Sequence, residues 1–458
     1  MNKAIGQYID EHCAEMINDL RKLAEIPSVM GDPQEGCPFG REPARALGTA
    51  LELCQRYGLH TRNVDNYVGT ADFFDHKDNY LGILCHMDVV PEGIGWTFPP
   101  FAITEQDGRL YGRGAIDDKG PAVAALYALR AVKELGIPLE KNVRLILGTN
   151  EENGSGDLEY YTKIEQLPPL LVTPDGSYPI INIEKGMLRI SLRAKINVPK
   201  EGMIIRSIIS DGAVNAVPFT ASAGIDGVDE GTFRGAAEGL DVDISAEGGV
   251  FTVTGKGAHA STPESGRNAL TALLTIISRL DKAGAYPQIA ALAKLFPYGE
   301  TDGASCGIKC SDDISGETTT VLSVCECDGG NILCRQDIRF PVCESCAGIV
   351  QKLKDTAEKH GFSVTADMES EPHHVPADSE FIRTLLDVYE DATGEKGYTV
   401  AIGGGTYVHD TAGGVAFGAE FPGDENNMHG TDEFIRTDAL LMNAKIYAEA
   451  IIRLCGKE

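Results

Sequence analysis

Tyr80-Leu81-Gly82-Ile83-Leu84-Cys85-His86-Met87-Asp88 is an apolar run that ends in a histidine and an aspartate. A short apolar segment with no alternation of polar residues reads as a strand buried in a sheet. Val143 to Gly148 and Leu170 to Thr173 repeat the pattern. Helical runs such as Pro121 to Leu135 and Gly156 to Leu167 lie between them. Such alternation predicts an α/β fold with a mixed, mostly parallel sheet and helices on both faces. The carboxyl ends of its strands are then the natural place for side chains that do chemistry.

Upstream, apolar residues from Ile5 to Leu59 recur at helical spacing, with a loop at Pro27 and across Pro33 to Pro38. Downstream the pattern changes. Between about Gly186 and Pro372 strand-like runs dominate, Met187 to Val198 and Val250 to Gly255, with helices expected at Asn268 to Ala283 and Cys346 to His360. After Pro376 a helix, Ser379 to Ala392, and the Gly-rich run Ile402-Gly403-Gly404-Gly405-Thr406 return to the first pattern. The organisation predicted is one discontinuous domain, 1–185 and 375–458, interrupted by an inserted α+β domain, 186–374.

Composition narrows the function classes. The 458 residues exceed one ordinary domain, and a formal net charge of -28 repels phosphate backbones and anionic membranes. No nucleic-acid partner is expected. Met1 to Leu20 carries Asp10, Glu11, Glu15 and Asp19 instead of the basic and apolar regions of a secretory signal. No window approaches the roughly 18 to 20 apolar residues of a membrane span, so no membrane partner is expected and the chain reads as cytoplasmic. Of the 12 cysteines, Cys325, Cys327, Cys334, Cys343 and Cys346 crowd together. A zinc site there is conceivable, yet Val321 to Cys327, Asp328-Gly329-Gly330-Asn331 and Ile332 to Phe340 read as a hairpin. Cysteines on its strands read as small buried hydrophobes without disulfides.

Five separated pieces carry the chemistry. His86 and Asp88 stand two residues apart, so on a strand they share a side, and the carboxylate can orient the imidazole. Asp117-Asp118 follows the turn Gly112-Arg113-Gly114 and precedes a helix; a carboxylate there could bridge two cations or simply cap the helix. Glu151-Glu152 follows a strand directly, so one acid can face a metal while its neighbour handles a proton, or both can form a solvated acidic turn. Asp175 lies in a Pro-Asp-Gly turn, an ordinary place for Asp. His429, in Met428-His429-Gly430-Thr431, closes the set.

His86-Met87-Asp88-Val89-Val90-Pro91, Asp117-Asp118-Lys119-Gly120-Pro121, Glu151-Glu152, Asp175-Gly176, Gly404-Gly405-Thr406-Tyr407 and Met428-His429 together resemble the dinuclear metallopeptidase superfamily of aminoacylase, carnosinase and succinyl-diaminopimelate desuccinylase. Within it the likeness is greatest to PepV-type bacterial dipeptidases. The resemblance implies that Asp117 bridges two ions, with His86 and Asp175 on one and Glu152 and His429 on the other. Glu151 would be the general base, Asp88 would orient His86, and a cis peptide is expected after Asp117. In the insertion His259, within Gly257-Ala258-His259-Ala260, would stabilise the tetrahedral oxyanion. Asn215 and Arg339 would hold substrate, Arg339 by its terminal carboxylate, and Gly405 would lie along it. Two departures stand out: Val408-His409 follow Tyr407 where an Arg is typical, and Gly430-Thr431 follow His429.

The expected function is a metal-dependent dipeptidase that hydrolyses the amide bond of short peptides with a free amino terminus, using water between two divalent metal ions. Zinc is the first expectation for the cofactor, with manganese or cobalt suited to the same ligands. An N-acyl amino acid deacylase of aminoacylase or desuccinylase type shares the metal core and is the alternative. A small peptide is the expected partner and the chain is expected to be a monomer, its long insertion acting as a lid that admits only short substrates. A catalytically silent binding protein would have no need of Glu151, and neither Gly-rich turn has the spacing of a dinucleotide site.

Overall fold

The computed structural model describes residues 1–75, 78–328 and 330–457. Gly329, in the turn of the expected hairpin, lies outside them. The chain divides into two compact units, one of Met1–Asn182, His374–Val400 and Gly405–Glu458 and the other of Ile183–His373 and Ala401–Gly404.

In the first unit the strands Asn79–His86, Asn142–Gly148 and Leu170–Thr173 form where the apolar runs predict. All three pair in parallel, Asn79–His86 lying between the other two, and Gly414–Ala416 continues the parallel set beside Leu170–Thr173. Every residue of Asn142–Gly148 is buried, as expected of a strand covered on both faces. Antiparallel strands flank this core. His60–Val64 and Val68–Asp72 make a hairpin alongside Asn142–Gly148. Polar residues fill His60-Thr61-Arg62-Asn63, so no apolar alternation marks that strand. Its turn uses Asp65 and Asn66 in the left-handed region, φ 52° and 59°, which short polar side chains tolerate.

The helix Lys119–Glu134 is buried on all sides from Lys119 to Val132, as a helix apolar all round must be. It packs on Thr437–Cys455 and Cys13–Ala24. Each of its fully buried Leu or Val side chains contributes roughly 1.5–3 kcal/mol relative to exposure. The helix expected from Gly156 to Leu167 ends at Tyr161. Beyond it Lys163, Ile164 and Glu165 donate backbone N–H groups to Tyr160 and Tyr161, and the chain turns away before Pro168-Pro169.

The second unit is built on an eight-stranded sheet whose observed pairings are antiparallel. Thr319–Cys327 and Asn331–Phe340 form the expected hairpin, and Asn331–Phe340 also pairs with Gly186–Lys195. The helices Ala269–Leu280, Pro287–Leu295 and Cys346–Ala357 contribute to its apolar core. Cys325, Cys327, Cys334 and Cys346 belong to that core. Cys343 lies beyond the hairpin strands and is exposed, with its Sγ 3.2 Å from Cys310 Sγ. No helix among the described residues is long and apolar enough to cross a membrane.

Candidate active site

The parallel strands of the first unit deliver their chemistry at their carboxyl ends. Asn79–His86 ends on His86. Asn142–Gly148 leads through Thr149-Asn150 into the single helical turn Glu151–Asn153, and Leu170–Thr173 leads into Asp175. Asp117 and Asp118 precede the buried helix, joined by a cis peptide bond. His429 sits in the left-handed region, φ 59°, in the loop before the strand Phe434–Arg436.

Two glycines are fixed by close approach. A Cβ at Gly120 would stand 2.0 Å from the Ala115 carbonyl oxygen. At Gly148 it would meet the Tyr407 hydroxyl at 1.7 Å and Asp157 Oδ2 at 2.4 Å. Asp157 Oδ2 accepts from the backbone N–H groups of Thr149 and Asn150 and from Tyr407 Oη, at 2.5, 2.8 and 2.5 Å. Burial and the charge of Asp88 push the Asp157 carboxyl up to about 6. These bonds fix the turn that carries Glu151 and Glu152.

Asp117 is at the centre of the cluster. Its Oδ1 lies 2.9 Å from His86 Nε2 and its Oδ2 lies 2.7 Å from His429 Nε2. His429 Nε2 is 3.3 Å from Glu152 Oε2, and His86 Nε2 is 4.0 Å from Asp175 Oδ2. Ligand atoms of His86, Glu151 and Asp175 fall within 4.8 Å of one another, and so do those of His86, Asp117 and Glu152. Five separated pieces of sequence therefore meet. Asp117 is no helix cap, and Asp118, at the cap position, makes no capping bond; its Oδ2 accepts from the His86 backbone N–H at 3.1 Å.

The donor set fits divalent cations on its own chemistry. His86 Nδ1 contacts the Asp88 carbonyl oxygen at 3.0 Å and Asp88 Oδ1 at 3.4 Å. Donation from Nδ1 to that carbonyl leaves Nε2 as a lone pair aimed at carboxylate oxygens. His86 Nε2 and Glu152 Oε1 are buried without a hydrogen-bond partner, the position of atoms built to ligate. The Asp88 carboxylate reaches further than an orienter of His86 alone, because it also accepts from the backbone N–H groups of Glu151 and Glu152, at 3.1 and 3.2 Å.

Charge in the cluster is unbalanced toward the negative. Burial, and then the Asp175 charge, hold the Glu151 carboxyl well above the usual range. Burial and the Asp117 charge push Asp175 up to about 7. Burial opposes charging of His86, but the adjacent carboxylates of Asp117 and Asp88 prevail and raise it; hydrogen bonds to Asp117 and Glu152 take His429 to about 10. Carboxylates this close need positive charge among them, and imidazole and carboxylate donors suit zinc, manganese or cobalt.

Supporting residues escaped the sequence reading although Arg113 and Lys119 lie in the motifs quoted above. Arg113 forms a buried ion pair with Glu433, Nη1 to Oε2 2.5 Å, and Arg113 Nη2 donates to the His429 carbonyl oxygen at 3.3 Å. Glu433 Oε1 accepts from the backbone N–H groups of Ile116 and Asp117. One ion pair thus ties the bridging aspartate to the distant His429 loop. Lys119 is buried and donates to the Leu23 and Ile26 carbonyl oxygens, with burial lowering its ammonium to about 7. Val408 and His409, the departure after Tyr407, are both buried, and Gly405 is exposed.

In the second unit Asn215 and His259 are brought side by side. Ala216 pairs with His259 in a two-stranded ladder, and the Ala260 backbone N–H donates to the Asn215 carbonyl oxygen at 2.9 Å. His259 is exposed; its Nδ1 lies 2.7 Å from Ser261 Oγ and accepts from the Ser261 backbone N–H at 3.2 Å. Burial of part of the ring and the Arg339 charge lower its pKa. Arg339 is not a free cation. It is buried, donates to Asp337 through Nε and Nη2 at 2.6 and 3.2 Å, and reaches the Gly403 carbonyl oxygen through Nη1 at 2.8 Å.

Residues 82–453 match Peptidase family M20/M25/M40. Over 455 residues the chain is 36% identical to a protein named Putative dipeptidase YtjP from Bacillus subtilis (strain 168), covering 96% of this chain and 97% of that one. It is 34% identical to the Beta-Ala-Xaa dipeptidase of Lactobacillus delbrueckii subsp. lactis, covering 97% and 96%. Among solved structures it shares its fold with human carnosine dipeptidase 1, TM-score 0.60 at 17% identity over 99% and 98% of the two chains.

Proposed function

Because this chain belongs to peptidase family M20/M25/M40 and is a peptidase, we propose that it is a metal-dependent dipeptidase acting on short peptides with a free amino terminus. The observation that carries the reading is Asp117, whose two carboxylate oxygens face two different imidazoles. In it Asp117 would help hold both divalent cations, His86 and Asp175 would hold one, and Glu152 and His429 would hold the other. When bound, such a pair of cations supplies Lewis acidity, lowering the pKa of water and polarising the scissile carbonyl.

This chain's own residues do the rest. Glu151 takes a proton from the attacking water as its oxygen bonds to the carbonyl carbon, and returns it to the leaving amine nitrogen as the C–N bond breaks. Its raised pKa suits a group that must both hold and release a proton. Asp88, by accepting from the Glu151 and Glu152 backbones, sets the angle of both acids. The Ser261 N–H on Nδ1 of His259 favours the tautomer with the proton on Nε2, the form that donates to an oxyanion. We assign that role to His259 and assign substrate contacts to Asn215, Arg339 and Gly405. With its donors engaged by Asp337 and Gly403, Arg339 has less of its fork to offer a carboxylate than an unpaired arginine would.

The dipeptide reading draws support from the names of the two relatives described above, Putative dipeptidase YtjP and Beta-Ala-Xaa dipeptidase. Zinc as the cation, cytoplasmic residence, a monomeric state and a lid role for the 186–374 insertion belong to the same proposal. The test is turnover of a dipeptide panel and of N-acyl amino acids by metal-stripped protein reloaded one cation at a time. Release of amino acids from dipeptides supports the reading; turnover of N-acyl amino acids alone replaces it with a deacylase.

A further inference from the structure

The sheet of the second unit has one face packed by helices, carrying Leu188, Ile190 and Leu192 from one strand and Ile332, Cys334 and Ile338 from its neighbour. Alternation sends Arg189, Ser191 and Arg193, and Arg335, Asp337 and Arg339, to the opposite face. Arg335 pairs directly with Ser191, so Arg189 and Arg193 are its two diagonal neighbours, at reach for long side chains. These three arginines line a single cavity of about 290 Å³, which has one carboxylate, Asp367, in its wall. That carboxylate is engaged, accepting from Ser191 Oγ at 2.6 Å.

The acids nearby leave these cations unbalanced. Asp337 is held by Arg339 and stands 3.5 Å from Arg189 Nε. The side chains of Arg193 and Arg335 make no hydrogen bond or ion pair among the described residues, and Nε of both Arg189 and Arg335 is shielded from solvent without a hydrogen-bond partner. In a chain of 40 Lys and Arg against 68 Asp and Glu, three arginines lining one cavity near two carboxylates that other side chains already engage carry an excess of positive charge that an anion relieves.

We propose that Arg189, Arg193 and Arg335 form a binding site for a small oxyanion of the phosphate or carboxylate class. Guanidinium forks match the geometry of both. The site is distinct from the contacts of a dipeptide. Arg335 and Arg339 are four residues apart on one strand, about 13 Å, whereas an extended dipeptide spans about 7 Å.

The test is calorimetric titration of the cation-loaded full chain with inorganic phosphate and, separately, malonate, in low-salt neutral buffer. Saturable binding of either is expected, weakened about tenfold or more in Arg335→Met and in Arg193→Met, less in Arg335→Lys, with dipeptide turnover in anion-free buffer unchanged in all three. The tighter of the two probes identifies the ligand chemistry. Absence of saturable binding overturns the proposal. So does binding that both Met variants retain but Asp117→Asn loses, which would put the anion at the His86 cluster. Unchanged thermal unfolding of the Arg335→Lys protein distinguishes loss of the site from loss of the fold.

Discussion

In the first unit Asp117, Glu151, Glu152 and Asp175 crowd around two imidazoles at the carboxyl ends of the parallel strands, whereas in the second unit Arg339 and Asp337 on one antiparallel strand satisfy each other directly. Both groups are largely buried, yet their electrostatics differ. In the first, acids outnumber bases: burial and neighbouring charge force the Glu151 and Asp175 carboxyls upward in pKa, and the cluster needs positive charge among its members. The second is a matched pair in which each partner compensates the other's desolvation. A buried cluster with an excess of one sign therefore points to a ligand, and a buried matched pair points first to structure.

Four single substitutions and one double substitution break or sharpen that contrast. Asp117→Ala removes the carboxylate facing both imidazoles and should lower kcat/KM on the order of 10⁴-fold or more, with both cations lost on elemental analysis. Glu151→Gln keeps the shape of the cluster but removes the proton carrier; a fall in kcat of about 10³-fold with cations retained and KM little changed is expected. Full cation loss in this variant would instead make Glu151 a ligand. Arg339→Met leaves Asp337, 1% exposed, without its main partner, and should destabilise the protein by about 3–5 kcal/mol in urea unfolding. Adding Asp337→Leu to it should restore much of that loss if the pair is structural. Tyr407→Phe takes one hydrogen bond from the buried Asp157 and should cost about 1–2 kcal/mol of stability, with a smaller fall in kcat because the turn before Glu151 loosens.

How far the sequence reveals all this depends on what each residue's role leaves in the pattern. Strands buried on both faces are apolar runs, so Asn79–His86, Asn142–Gly148 and Leu170–Thr173 were legible, and with them the ends that carry His86, Glu151 and Asp175. The polar strand His60–Val64 was not, since its place depends on a neighbour and a turn at Asp65-Asn66 rather than on its own hydrophobicity. Asp157, Tyr407, Arg113 and Glu433 hold the site through tertiary hydrogen bonds, and spacing along a chain does not encode such bonds. The pairing of Glu433 with Arg113 could have been suspected, since Arg113 stands four residues before Asp117 and Glu433 four residues after His429. Arg339, expected to meet substrate, also has a carboxylate partner two residues away that its strand-like pattern does not announce.

The central claim is that His86, Asp117, Glu152, Asp175 and His429 together hold two cations. Anomalous diffraction from crystals of the zinc-loaded chain tests it most directly. Two peaks, one on each side of the Asp117 carboxylate and each within coordinating distance of one imidazole, are predicted; a single peak, or peaks bound by other residues, would contradict the account.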